Sequence, residues 1–393
     1  MKSTEFGEHC KTMNPDKPLK AFKGSIVIVT TTEQPGGGEI AALNLAAAIG
    51  KISSAKVIFA CPSGKVHDLA LKKGLNTVEL PCWKKNPIKW VYKFRQILRA
   101  QEPEIVLAES PGAVRGSFLA RTLQVVTNRF SYCGKTEKPL LMFHAHGSRN
   151  LLTTLLMGAL ADVIVTVSSK LRRRYRHGRC PVFMVPNGST IPIISDLNSQ
   201  DIRKRARREL GLPEKEFTAG FAGRLSPAKG IISLVQAWTN HEAPGTLAIA
   251  GERLFTADTS AEEILMKFKG SHGIHHLGQL ESMENFYDAL DVLILPSLDE
   301  QCPLTVTEAF SRGVPVIATP VGEIPGLIGS NLRGILIPRS NALKIAMACR
   351  QIRDQEQAAL GMARESLNFA RQHLSGKVWA TRIMTIAKSF HKK

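Results

Sequence analysis

Two successive series of short apolar runs, separated by helical patterns, constrain this chain more than any single motif does. In the first series the runs are Ser25–Thr30, Lys56–Ala60, Glu104–Ala108, Leu140–His144, Asp162–Val167 and Val182–Pro186. Helical patterns at Glu39–Ile49 and Pro87–Ala100 fall between them, the second with proline in its first turn. A second series runs through Phe217–Phe221, Thr246–Ala250, Asp291–Leu295 and Val314–Ala318. Runs of this length without polar alternation suit strands buried on both faces, as in parallel sheets covered by helices. At 393 residues the chain is also too long for one ordinary core. The expected class is α/β, with two parallel-sheet domains in series and a cleft between them. Residues 190–214 break the alternation and become strongly charged through Arg203–Arg208. The boundary is therefore expected there, between domains of residues 24–192 and 193–376, after a flexible tail at 1–23.

Charge is unevenly spread. Residues 1–190 carry 28 Lys+Arg against 12 Asp+Glu, whereas residues 191–393 carry 24 against 21. A basic first half implies an anionic partner: nucleic acid, an anionic membrane surface or a phosphorylated substrate. The seven cysteines are scattered and form no Cys-x-x-Cys pair, which argues against a disulfide framework and a zinc site and fits a reducing cytoplasm. The polar, lysine-rich Met1–Lys23 does not read as a signal peptide, so none is expected here. The longest apolar stretch, Leu151–Val167, contains Asp162 and reads as a helix followed by a strand, too short and interrupted to span a bilayer.

Four segments carry chemistry. Glu300 and Glu308 lie eight residues apart after the strand ending at Leu295, one in a loop and one on the following helix, where open α/β sheets bind ligands. They read as hydroxyl-gripping groups or as an acid–base pair. Gly223-Arg224 and Lys229-Gly230 follow another strand, placing two cations where two phosphates can be neutralised; a solvated basic turn is the alternative. Gly36-Gly37-Gly38-Glu39 opens the first helix and reads as a place where an anion approaches backbone N–H groups, or as a tight turn with no ligand. It also fits a dinucleotide fingerprint, but the second strand ends in Cys61-Pro-Ser-Gly64 with no acid for a ribose. His144 and His146 share one side of a strand end, and no third metal ligand is spaced nearby. They suit a cleft-lining contact or a satisfied structural role. The stretch Trp83–Arg99 is a surface helix with Ile88, Val91, Phe94 and Leu98 as its core stripe, or a lipid-facing one resting Trp83 and Trp90 on headgroups. Lys170–Arg179 is a solvated face or a phosphate patch.

Together these segments resemble the retaining glycosyltransferases of family 4 (group 1), with their GT-B architecture of two Rossmann-like domains facing a cleft. The likeness runs from about residue 24 to the end. Glu300–Pro315 is similar to the family's Glu-x7-Glu signature, Gly223–Gly230 to its G-R-x-x-x-x-K-G segment and Val185–Gly188 to its V-P-N-G. Gly37-Gly38-Glu39 resembles its glycine loop, and Lys377–Lys393 its last helix, which crosses back to the first domain. The resemblance implies that Arg224 and Lys229, beside Gly223, hold a donor diphosphate. Glu308 takes the ribose hydroxyls, and Glu300 the sugar, with backbone around Cys302, Pro303 and Leu304. Gln279 and Leu280 meet the base, Gly37 and Gly38 line the donor, and His146 contacts the sugar. His146, Glu300, Arg224 and Lys229 form the implied catalytic set. No Asp-x-Asp occurs, so neither a metal nor another cofactor is expected. The implied reaction moves a sugar from a nucleotide-sugar donor, UDP-linked, to a glycan or lipid-linked acceptor with retention, in cell-surface polysaccharide or glycolipid synthesis. The implied place is the cytoplasm, with peripheral contact to anionic membrane and no specific nucleic acid. The alternatives are a nucleotide-sugar epimerase of the same fold and a non-catalytic binder of anionic surfaces. Two departures stand out: Pro303 has no N–H to donate, and Ser189-Thr190 replace the common Asp after Asn-Gly.

Overall fold

The computed structural model describes residues 22–129, 138–147, 150–195, 197, 200–252, 263, 273–280 and 282–391. The expected tail lies almost wholly outside them, as do Cys10 and Cys133. Phe22, at the end of that tail, is buried, with Lys388 Nζ 5.5 Å from its ring centre. The other five cysteines are free thiols.

In chain order the elements begin β1 (Ser25–Val29), α1 (Gly37–Ile52), β2 (Lys56–Pro62), α2 (Lys65–Lys72), β3 (Asn76–Leu80) and α3 (Pro87–Gln101). Next come β4 (Ile105–Ala108), α4 (Pro111–Arg129), β5 (Leu140–Ala145), α5 (Leu151–Leu160), β6 (Val163–Thr166), α6 (Ser169–Tyr175) and β7 (Val182–Met184). After α7 (Gln200–Glu209) follow β8 (Thr218–Ala222), a 3-10 turn (Pro227–Lys229), α8 (Ile231–Thr239), β9 (Thr246–Ala250), β10 (Ile274–Gly278), α9 (Met283–Asp288) and β11 (Val292–Leu295). The chain closes with α10 (Leu304–Ser311), β12 (Val316–Ala318), α11 (Ile324–Ile328), β13 (Gly334–Leu336), α12 (Ala342–Asp354), α13 (Glu356–Phe369) and α14 (Gly376–His391).

Among the described residues the chain forms two compact units, one of residues 22–187 and 376–391, the other of residues 188–375. The division at Asn187/Gly188 comes five residues before the expected one. The first unit holds a seven-stranded sheet, ordered β3-β2-β1-β4-β5-β6-β7, and the second a six-stranded sheet, ordered β10-β9-β8-β11-β12-β13. Every pairing is parallel. The central strands β4, β6, β8, β9 and β11 are buried along their whole length, as apolar runs covered on both faces must be. α14 packs on α1 and β5, burying Trp379, Ile383, Met384 and Ile386 in the first unit.

Three expectations are corrected. The charged run Arg203–Arg208, in the stretch where the boundary is expected, is part of α7 and lies inside the second unit. Arg207 is buried and donates to Asp291 and to the carbonyls of Glu214, Glu216 and Ala289. Trp90 faces the core of α3, 0% exposed and stacked on Phe94, whereas Ile88 is 83% exposed. Gly116 on α4 makes room for it, since a Cβ there would sit 2.3 Å from the Trp90 ring. Trp90 therefore rests on no lipid.

Candidate functional site

A parallel sheet whose strand order reverses opens a crevice at the carboxyl ends of the two strands flanking the reversal. In the second unit these strands are β8 and β11. The loop after β8 carries Gly223 and Arg224, then turns at Pro227–Lys229 and enters α8 through Gly230 in the left-handed region (φ +74°). Leu225 is buried beneath it and Leu298 N–H donates to Ala228 O (2.8 Å), which joins the β8 loop to the β11 loop. Lys229 Nζ is ion-paired with Glu300 Oε1, which also accepts from Ser297 Oγ (3.0 Å). Arg224 is exposed and makes no ion pair among the described residues. One loop thus presents a guanidinium without a counter-ion and an ammonium shared with a carboxylate, a setting that attracts an anion.

Glu308 lies on α10, half-buried, and accepts from Tyr287 Oη (2.8 Å). Burial, and then the Glu308 carboxylate, push the Tyr287 phenol well above its usual range, so it remains a donor. Pro303 is the N-cap of α10 and Cys302 beside it is buried. The N–H groups of the first turn of α10 are therefore open to an acceptor, apart from the one that proline lacks. Gln279 and Leu280 follow β10, after Gly278 (φ +68°). Gly251 N–H donates to Gly278 O (2.7 Å) and Gly223 N–H to Ala250 O (3.0 Å), fixing the ends of β8, β9 and β10 to one another.

In the first unit the reversal lies between β1 and β4. Gly37 and Gly38 start α1 there, but the helix end already holds a carboxylate: Gly36 N–H donates to Glu39 Oε2 (3.0 Å). An incoming anion would meet that charge. Gly38 stands against the His146 ring, where a Cβ would be 3.4 Å away. His146 and His144 both turn to Glu109 at the end of β4, with His146 Nε2 2.9 Å and His144 Nδ1 3.0 Å from its Oε2. Burial opposes ionisation of Glu109, and the two imidazoles more than reverse that, holding its carboxyl at about 2. Burial lowers His144 despite the neighbouring carboxylate. The consistent state is an ionised Glu109 accepting from Nδ1–H of a neutral His144 and from Nε2–H of His146. His144 Nε2 is buried without a hydrogen-bond partner, in keeping with a bare nitrogen.

Glu109 is the residue that reading along the sequence missed. It supplies the third group that sequence spacing did not, because pairing of β4 with β5 brings it to histidines 35 and 37 residues away. Among the described residues these three are the cluster whose ligand atoms could hold a metal ion, lying within 4.8 Å of one another. Their separations are hydrogen-bond lengths and every facing nitrogen has a use as a donor. The structure pairs Lys229 with Glu300, carries Arg224 in the loop that also holds Lys229, and starts α10 at Leu304 with Glu308 against Tyr287. In the first unit it sets Gly38 against the His146 ring.

Residues 202–368 match the family model described as "Glycosyl transferases group 1". The chain is similar to D-inositol 3-phosphate glycosyltransferases. It is 28% identical over 190 residues to that of Corynebacterium urealyticum, covering 45% of this chain and 43% of the relative. It is 25% identical over 203 residues to that of Mycolicibacterium smegmatis, covering 50% and 45%. The alignments thus span less than half the length of these curated relatives. Among solved structures the fold is similar to Anabaena Alr3699/HepE, determined in complex with UDP-glucose. The TM-score is 0.76 at 18% identity, covering 93% of this chain and 100% of that one. It is also similar to the sucrose-phosphate synthase of Thermosynechococcus elongatus, with a TM-score of 0.72 at 17% identity, covering 94% and 99%. The architecture is that of the GT-B glycosyltransferases: two Rossmann-like α/β units, each built on a parallel sheet.

Proposed function

We propose that this protein is a retaining glycosyltransferase that moves a sugar from a nucleotide-sugar donor, UDP-linked, to a hydroxyl of a glycan or lipid-linked acceptor. The observation that carries the reading is Arg224, which makes no ion pair among the described residues, in the same loop as the Lys229 that pairs with Glu300, at the strand reversal of the second sheet. The match of residues 202–368 to group 1 glycosyltransferases supports it, and so does the UDP-glucose bound by the structurally similar Alr3699/HepE.

In this reading Arg224 binds the donor diphosphate through its fork, and Lys229 exchanges Glu300 for phosphate oxygens when the donor arrives. Glu300 is thereby released to sugar hydroxyls. Glu308, oriented by Tyr287, takes the ribose hydroxyls, and Gln279 and Leu280 flank the base. As the glycosidic bond breaks, negative charge grows on the leaving diphosphate, and the two cations stabilise it more than they stabilise the ground state. The acceptor enters on the face the diphosphate leaves, which retains the anomeric configuration. His146, with Nε2 committed to Glu109, offers Nδ1 to a substrate hydroxyl. The protein works on the cytoplasmic face of a membrane in polysaccharide or glycolipid synthesis, held there by peripheral contact with anionic lipid. The donor needs no metal, because two side-chain cations meet its charge.

The test is turnover of a panel of nucleotide sugars. Arg224→Ala and Lys229→Ala should each lower kcat/KM by roughly 100-fold or more, the scale set by removing one preorganised charge-stabilising group. Unchanged turnover of every nucleotide sugar in both variants refutes the proposal.

A further inference from the structure

A helix on the outside of an α/β unit turns its apolar stripe inward and its polar face to water. α5 does the reverse. Thr154, Met157 and Gly158 are its buried residues, with Gly158 close against the backbone of Gly178. Leu151, Leu152, Leu155 and Leu156 face solvent, the first two 65% and 76% exposed. Their spacing puts all four on one side of the helix. The neighbouring α4, which packs on α5, adds exposed Leu119 and Val126. Residues on a solvent face at these exposures need a function, because a contiguous apolar patch on a free surface is an interaction site or a liability.

The charges around the patch say what covers it. Residues 111–179 carry twelve Lys and Arg against two acids, Glu137 and Asp162. Asp162 is already paired with Arg121 and lies near Lys138 Nζ (4.0 Å). α6, which packs against α5, exposes Arg173 and Arg174, and Arg176 and Arg179 follow it. An aliphatic face with a basic border matches an anionic lipid surface: acyl chains accept the leucines and phosphates accept the arginines. A second copy of the chain is disfavoured, since an isologous interface would set this arginine border against itself. At ten residues α5 is also about half the length needed to span a bilayer, so it can lie in the interface only.

We propose that the α4–α5 face, bordered by the α6 arginines, is a membrane-docking surface for anionic lipid. It gives the peripheral contact proposed above its location, and moves it away from α3, whose Trp90 is buried. It does not depend on donor turnover, because its readout is partition onto vesicles.

The full chain is sedimented with vesicles of zwitterionic lipid alone and with vesicles containing one half anionic lipid. Wild-type protein should partition onto the anionic vesicles and be released by about 0.5 M salt, where charge screening is short-ranged. Leu152→Glu with Leu156→Glu should lower that partition about tenfold or more, because two apolar anchors become like-charged with the lipid. Arg173→Glu with Arg174→Glu should lower it on anionic vesicles. Ile88→Glu on α3, an exposed control, should leave it unchanged. All these positions are on the surface, and thermal melts check that each variant stays folded. Three outcomes overturn the proposal: wild-type protein that stays in solution, a double-leucine variant that binds as wild type, or a wild-type dimer that the leucine changes turn into a monomer.

Discussion

Glu109 couples two histidines to one buried charge, and its protonation is linked to folding. Its folded value of about 2 lies below the roughly 4.3 of a free glutamate, so its contribution is present above pH 4.3 and lost as the pH falls toward 2. His144 is also lowered, from a free value near 6.5; the unfolded chain takes its proton first, so acid again favours unfolding. Both signs agree, and stability should rise with pH from about 2 to about 6.5. Glu109→Gln keeps the shape but loses the charge. It should cost about 1–3 kcal/mol at pH 7, the scale of an impaired buried hydrogen-bond set, and flatten the dependence below pH 4. Urea denaturation at pH 7, 4 and 3 measures both, and equal slopes below pH 4 in the two proteins would contradict the assignment. The candidate site residues divide by how they are encoded. Arg224 with Lys229 and Glu300 with Glu308 sit at short fixed spacings that a loop and a helix start impose, so they are legible in one dimension. The partnership of Glu109 with His144 and His146 is created by strand pairing and leaves no local pattern. Trp90 was misread for a related reason: the stripe of α3 is broad enough to rotate, and the space that selects Trp90 for the core is supplied by Gly116 on another helix.

At the scale of elements, the strands that went unread are β3, β10 and β13, and each is an edge strand. Asn76-Thr-Val-Glu-Leu80 and Ile274-His-His-Leu-Gly278 mix polar and apolar residues because one side of an edge meets water, and Gly334-Ile-Leu336 is three residues long. The central strands were legible because burial on both faces leaves no polar choice. Where the ends of β8, β9 and β10 meet, glycine is required. Gly251 has φ +134°, and a Cβ on it would lie 1.9 Å from Gly223 O, next to Arg224. Gly251→Ala should therefore cost at least about 1–3 kcal/mol in backbone strain and, if the proposed UDP-linked donor binds at Arg224, weaken UDP binding by displacing that loop. Gly50→Ala on α1, where the added Cβ meets nothing within 4 Å, should stabilise by roughly 0.5–1 kcal/mol. Paired thermal melts and a UDP titration read the contrast; a silent Gly251 variant would refute the packing argument.

Over the whole molecule, the first unit is completed by residues far along the chain. The polypeptide leaves it at Asn187 and returns at Gly376 to place Trp379, Ile383 and Met384 in its core. The two passages run side by side, with a bridge between Ser189 and Ser375 and Ser189 N–H donating to Leu374 O (2.7 Å). In topological terms residues 188–375 are an insert with adjacent ends, carried by a host whose own chain is split. Such an insert can be excised. Residues 188–375 should fold alone with a cooperative melt, whereas 1–187 should not, since α14 is missing from its core. Joining 1–187 to 376–393 through about four Gly and Ser residues should restore the host, because the two ends lie within two residues of the bridged Ser189 and Ser375. A cooperative melt of 1–187 without α14 would disprove the dependence. The same closeness of ends means that new termini can be cut elsewhere in the host while the insert keeps its place, a route to permuted and transplanted versions that a simple tandem of two domains would not offer.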